Sequence, residues 1–271
     1  MKKIFVLFCI VSISLKLYAA NENYLFGGRQ AGMGNAAITL FDLWAVSHNQ
    51  AGLARIDNIT AGVYAENRYL IPDLTLGAGA LAVPAAGGVF GLSFTHFGYS
   101  LYNENKVGLA YSRMFGERFS AGVQLNYHHL SIGEDYGSKS SVTVEMGVIY
   151  ELIENLHIGF HLFNPTRTKI ADYDGERIPT IMRGGFSYTF SDRVIFIFET
   201  EKDINLEAVY KAGLEYRVID PIYLRVGVGT NPMSNSFGFG LEFSNFQLDL
   251  SSSYHHILGY SPQFSLIYQF K

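Results

Sequence analysis

From residue 59 to the C-terminus, polar and apolar residues alternate one for one, and this pattern constrains the fold more than any other feature. In Phe119 to Tyr127, one face carries Phe119, Ala121, Val123, Leu125 and Tyr127, and the other carries Ser120, Gly122, Gln124 and Asn126. Val142, Val144, Met146, Val148 and Tyr150 stand opposite Ser141, Thr143, Glu145 and Gly147. Phe246, Leu248, Leu250 and Tyr254 stand opposite Gln247, Asp249, Ser251 and Ser253. A period of two is that of a strand whose two faces meet different surroundings. Fourteen such segments are expected, at 59–70, 73–83, 87–98, 104–116, 118–131, 139–152, 154–164, 178–191, 193–202, 206–217, 221–230, 235–243, 245–255 and 261–270. An even number of strands of about ten residues suits a transmembrane β-barrel. A soluble barrel would turn its apolar faces inward. Fourteen strands enclose too wide a lumen for side chains to fill that way. Only 16% of the residues are charged, against about 25% in soluble domains.

One stretch competes with this reading. Leu74 to Leu92 is almost free of polar groups. However, it holds five glycines and Pro84, which cost about 1 and 3 kcal/mol each inside a helix. Two strands around a turn at Pro84-Ala85-Ala86 fit better. The connections give an independent test. Bacterial outer-membrane barrels have short periplasmic turns and longer outer loops. The even-to-odd connections are short: 84–86, Glu117, Ile153, Asp192, 219–220 and 244–245. The odd-to-even ones are expected to be longer, near 99–103, 132–138 and 165–177. Both ends of the mature chain are then expected on the periplasmic side. Phe264, Leu266, Tyr268 and Phe270 alternate to the end, in the manner of an aromatic-terminated barrel-assembly signal, with Lys271 beyond.

Residues 1–20 read as a cleaved secretory leader. Lys2 and Lys3 precede an apolar run from Ile4 to Leu15, and Tyr18-Ala19-Ala20 supplies a cleavage site after Ala19 or Ala20. The run is too short to span a bilayer. Cys9, the one cysteine, lies within it. The mature chain then has no thiol for a disulfide, a metal or nucleophilic catalysis. Without Lys2, Lys3 and Lys16, 17 basic residues face 24 acidic ones, a formal charge of −7. Nucleic-acid binding needs a basic footprint, so it is excluded.

Residues 21–58 do not alternate, and they are expected to form a unit separate from the barrel at 59–271. Residues 24–36 are Gly-rich, and Thr39 to Arg55 is compatible with helix. The glycine spacing fits no nucleotide-binding loop, and no strand precedes it. Arg29, Ala31-Gly32-Met33-Gly34-Asn35-Ala36, Asp42 and Asn49-Gln50-Ala51-Gly52-Leu53 together form a motif. It resembles the N-terminal hatch of FadL-like outer-membrane proteins, and most closely that of the PorV/PorQ branch. Gln50 departs from that pattern, which has Pro there. The resemblance implies that this segment folds into the lumen as a hatch, with Arg29, Gly32, Met33, Gly34, Asn35, Asp42, Asn49 and Gly52 as its motif. Glycines can approach a wall closely because they lack a Cβ.

Alternation places Glu145, His157, His161, Arg183, Glu199, Lys211, Glu215, Arg225, Glu242 and Asp249 on the lumen face. Both charge signs occur, so one reading is a set of mutual ion pairs holding the hatch. Another is a solute-orienting site of Arg183, Arg225 and Lys211. His157 and His161 lie about 13 Å apart along a strand, too far to share a metal. His128-His129 and His255-His256 are expected near solvated strand ends. No metal or cofactor is expected. No nucleophile elbow or Ser–His pair is present, so an enzyme is not expected.

The resemblance implies a plugged channel in the outer membrane of a Gram-negative bacterium, in contact with outer-membrane lipid. It would pass small hydrophobic or amphipathic solutes passively. The PorV/PorQ likeness implies an alternative: an accessory of type IX secretion that binds translocon, cargo or attachment complex. A structural barrel without flux is a third reading.

Overall fold

The computed structural model describes residues 23–133, 137–169 and 177–270. The expected leader, Cys9 and the cleavage site lie outside these residues. Fourteen antiparallel strands form a closed barrel in chain order, with the last hydrogen-bonded to the first. They are β1 (Thr60–Asn67), β2 (Thr75–Ala85), β3 (Gly88–Tyr99), β4 (Tyr102–Phe115), β5 (Phe119–Ile132), β6 (Gly137–Ile153), β7 (Leu156–Phe163), β8 (Ile181–Ser191), β9 (Val194–Asp203), β10 (Val209–Ile219), β11 (Ile222–Gly229), β12 (Ser234–Phe243), β13 (Phe246–His255) and β14 (Gly259–Gln269). Each coincides with one expected segment. Closure leaves no strand edge unpaired, which a bilayer demands because lipid cannot hydrogen-bond a free backbone.

The barrel is inside-out relative to a soluble one. Val123, Leu125, Tyr127, Val142, Met146, Phe246 and Leu250 are exposed on the outer surface. Their strand neighbours Gln124, Asn126, Thr143, Glu145 and Asp249 are buried within. Leu74 to Leu92 is strand, turn and strand, with the turn at Ala86-Gly87. Both of those residues take positive φ, as a two-residue hairpin of the primed kind requires. No helix among the described residues is long and apolar enough to cross a membrane.

One end of the barrel, the turn end, carries the two- and three-residue even-to-odd turns and the end of β14. The other, the loop end, carries the odd-to-even connections. The expected asymmetry is weaker than the sequence pattern implies. The connection expected at 99–103 is only Ser100-Leu101, because β3 and β4 stay paired out to Tyr99 and Tyr102. The connection at 164–180 is the long one.

Residues 23–58 lie mostly inside the barrel. They form two short helices, α1 (Gly28–Gly32) and α2 (Ala45–His48), and a 3-10 turn at Gln50–Arg55. The long helix allowed by Thr39 to Arg55 does not form: Asp42 accepts from the Trp44 N–H, and Asn49 is extended. Tyr24, Phe26, Leu43, Trp44, Val46 and Leu53 pack with Tyr64, Leu76, Val89 and Phe97 of β1 to β3 into the main apolar cluster. Asn23 accepts a hydrogen bond from Lys106 Nζ at 3.2 Å, and Tyr24 stacks on Phe97. Both partners belong to the loop-end half of their strands. The described chain starts towards the loop end, and β14 finishes at the turn end. Aromatic packing of Tyr24 and Phe26 on β1 and β3 draws the start of the segment across the lumen.

Candidate functional site

The segment enters from the loop end at Asn23, descends to Arg29 and turns back upward to Gly34-Asn35. It then descends again to Phe41-Asp42 and crosses the lumen to Arg55, beside the start of β1. The wall is shaped to receive it. Inward-facing Gly213, Gly227 and Gly238 on β10, β11 and β12 form a groove for Gly32-Met33-Gly34. A Cβ on Gly213 would lie 2.6 Å from Met33 Cβ, and one on Gly32 would lie 2.9 Å from Gly238 Cα. A Cβ on Gly227 would overlap the Met33-Gly34 peptide. Real Cβ atoms do not make such contacts, so wall and segment fit only without side chains. Met33 is fully buried and packs with Ala36, Ala37, Leu40 and Ile197. Gly34 and Asn35 turn the chain back with φ of 69° and 58°.

Three polar clusters bind the segment to the wall. In the first, the Arg29 guanidinium donates to both oxygens of Glu215, at 2.9 and 2.6 Å, and to Asp42 at 3.2 Å. Arg225 donates to Glu215 at 2.5 Å and to Asp249 at 2.7 Å. Asp42 also accepts from Gln30 and from the Trp44 backbone. Burial opposes the charge on Arg29, but Glu215 and then Asp42 outweigh it and raise its pKa. Burial raises the Asp42 carboxyl, and Arg29 pulls against that shift. In the second cluster, Glu199 accepts from the Ala37 and Ile38 backbone N–H groups at 2.9 and 3.0 Å. Beside it, Arg183 and Lys211 meet on Glu201, at 2.8 and 2.7 Å. In the third, Glu145 accepts from Gln50 at 2.8 Å and Asn126 at 2.7 Å, with His161 at 3.0 Å and Lys106 at 3.6 Å.

Asn49 caps the 3-10 turn, accepting from Ala51 N at 3.2 Å and donating to Ile38 O at 2.8 Å. Its backbone is extended, as it would be before a proline. Gln50 therefore leaves the turn intact and adds the bond to Glu145. Gly52 sits where a Cβ would meet Ala45 Cβ at 2.7 Å. His48 is buried beneath Phe26 O. Burial first, and then the Arg183 and Lys211 cations, hold its pKa well below 6.5 and keep it neutral.

Other expectations need correction. Arg225 lies in a different cluster from Arg183 and Lys211, and acids already face all three, so they do not form one solute-orienting site. Glu242 keeps its inward face at the turn-end mouth, where it lines both turn-side cavities and accepts from Tyr223 at 2.9 Å. His128 is buried against Thr143 rather than solvated. Glu201 and Lys106 are lumen residues that the sequence reading missed. Glu201 lies two residues from Glu199 on the same face of β9, and Lys106 pairs with His128, two residues along β5 from Asn126 of the polar face, so alternation carried the signal. No cluster of metal-ligating side chains occurs among the described residues.

The segment divides the lumen. On the loop side lies a vestibule of about 380 Å³ whose lining includes Asn23, Leu25, Gly34, Asn35, Glu201 and Lys211. On the turn side lie two cavities of about 220 and 310 Å³, both bounded by Arg29. Along β10, Lys211 borders the vestibule, Gly213 touches Met33, and Glu215 borders a turn-side cavity. Four residues of strand, about 13 Å, separate the two sides. At its thinnest the partition is the loop from Arg29 to Asn35.

No protein-family model matches the sequence, and no curated protein matches it. Solved structures do match in fold. The chain is similar to the CymD monoaromatic hydrocarbon channel, with a TM-score of 0.72 at 14% identity over 93% of this chain and 99% of that one. It is similar to a Pseudomonas aeruginosa FadL homologue, with a TM-score of 0.66 at 14% identity over 90% and 98%. It is also similar to the Ralstonia pickettii toluene transporter TbuX, with a TM-score of 0.70 at 11% identity over 91% and 98%. At these identities the likeness is one of fold alone: a closed 14-stranded antiparallel barrel.

Proposed function

We propose that this chain is an outer-membrane channel, closed at rest by residues 21–58, for passive passage of small hydrophobic or amphipathic solutes. The observation that carries the reading is the thin partition. Two solvent-accessible spaces lie on either side of one loop, and that loop is held by side chains rather than by strand pairing. A barrel with only a structural role has no need for cavities on both sides of so slight a barrier. The fold neighbours support the same class, since CymD is described as a hydrocarbon channel and TbuX as a toluene transporter.

In this reading the apolar outer surface meets outer-membrane lipid, the turn end faces the periplasm and the loop end faces outward. Opening needs displacement of the Arg29–Asn35 loop from the β10–β12 groove. The alternative, an accessory of type IX secretion, rests on the motif at residues 29–53, and the fold neighbours add nothing to it. Planar-bilayer conductance of the refolded mature chain, compared with a chain lacking residues 21–58, tests the proposal. A closed intact protein and an open truncated one support it.

A further inference from the structure

The loop-end vestibule has a chemistry of its own. Register pairs Ser236 of β12 with Ser253 of β13, and Ser253 with Ser261 of β14. The three inward hydroxyls form a row across adjacent strands, spaced about 4.8 Å apart. The next row inward pairs Ser251 with Gln263, and Gln263 with Glu66 of β1. Gln263 is 6% exposed and lines the cavity. Its Nε2 donates to Ser253 and Glu66, while its Oε1 has no hydrogen-bond partner among the described residues. A buried amide oxygen left unpaired is costly and marks a place for an outside donor.

The charges in this cavity cancel. Glu66 faces Arg68 at 3.6 Å, and Glu201 faces Lys211 at 2.7 Å. Each cation already has its carboxylate, so neither an anionic head nor a cationic one finds an unmatched partner. A bare hydrocarbon would desolvate the serine row and Gln263 without replacing their hydrogen bonds. Hydroxyl groups both donate and accept, so they satisfy the serines, Gln263 Oε1 and the carboxylate oxygens together. The half-buried Tyr69, set edge-on to His255, also lines the space, and an aromatic ring packs well against the C–H side of a sugar ring.

Resting on the channel reading, we infer that the vestibule binds an uncharged polyhydroxylated group: a sugar or polyol, free or as the head of an amphipathic molecule. A volume of about 380 Å³ is at the small end for ligand sites and suits one small molecule. The site lies on the outward side of the partition, where a solute waits for the loop to move.

The test uses the refolded mature protein in phospholipid nanodiscs. Maltose and sorbitol probe the free form, hexyl maltoside the amphipathic form, and toluene and octanoate the competing chemistries. Binding is read by calorimetry and by fluorescence of Trp44, the one tryptophan, which contacts Tyr64. Saturable binding of a hydroxylated probe is expected, weakened at least tenfold in Gln263→Leu and in the pair Ser236→Val, Ser253→Val. Heat-modifiable gel mobility confirms that each variant is folded. Binding of maltose or sorbitol identifies a free solute; binding of hexyl maltoside alone identifies the head of an amphiphile. The inference is overturned if no hydroxylated probe binds, if the variants bind as well as the parent, or if toluene or octanoate shows the sensitivity instead. Conductance separates this from the channel reading. Sugar binding to a barrel that stays closed after truncation keeps the vestibule and removes the channel. Conductance without sugar binding does the reverse.

Discussion

On β11, Gly227 and Gly229 both face inward, two residues apart, yet they belong to different regions of the lumen. Gly227 lies under Met33 and Gly34, with no room for a Cβ. Gly229 lines the vestibule, and a Cβ there would meet only Ser234 Oγ, at 3.0 Å. β10 repeats the contrast: Gly213 touches Met33, while Lys211 borders open space. In the proposed channel, closure then belongs to the seat of the segment and not to the barrel. The wall is continuous through both regions, and a strip of missing side chains decides where a peptide can lie against it.

The comparison is broken most severely at Gly227. Gly227→Leu places a side chain where the segment's backbone runs, and overpacking of this kind costs about 1–3 kcal/mol or more. The expected outcome is a displaced loop, seen as new bilayer conductance and as protease cleavage near residues 30–35. Gly229→Ala, on the same strand, should leave both readouts unchanged.

Removing an anchor should loosen the partition without filling its groove. Glu215→Gln leaves Arg29 with Asp42 alone and Arg225 with Asp249 alone. Breaking a buried pair costs about 3–5 kcal/mol, so the urea midpoint should fall and brief openings should appear in bilayer records. A variant as stable and as quiet as the parent would show that the Arg29 cluster is not an anchor.

His48 offers a milder handle. Its folded pKa is lowered, so below the unfolded value of about 6.5 the unfolded chain binds a proton that the folded chain does not. Its contribution to stability is therefore full above that pH and is lost as the pH falls below it. Urea midpoints between pH 8 and pH 5 should drop less steeply in His48→Gln than in the parent. The smallest effect is expected for Gln50→Pro. The extended Asn49 accepts a following proline, which suits the first position of a helical turn. The side-chain bonds to Glu145 and to Val46 O are lost, but nothing enters the glycine groove. Closure should be unaffected.

The barrel was legible in the sequence because every strand separates an apolar outer surface from a polar lumen, and alternation records that separation residue by residue. All fourteen strands follow from it, as do lumen positions such as Glu145, Glu199 and Asp249. Glu201 and Lys106 obeyed the same rule and were overlooked near strand ends. The segment was legible only as a motif. Its glycines and Arg29 stood out, but nothing local announces that Tyr24 stacks on Phe97 or that Gln50 reaches Glu145. Such contacts depend on which wall residues the closed barrel brings opposite, and no period in residues 21–58 encodes that. The two-residue connection at Ser100-Leu101 was hidden for a related reason. Polar residues such as Asn103 read as loop, yet they pair in register at the strand ends.

The central claim is that residues 21–58 close an otherwise open barrel. It is tested most directly by planar-bilayer conductance of the refolded mature chain beside the same chain without those residues, with Gly227→Leu included in case the truncated barrel does not fold. The account predicts a quiet parent, and steady open-channel steps from the truncated or Gly227→Leu protein. A parent that conducts as freely as either variant, or folded variants that stay as closed as the parent, would contradict it.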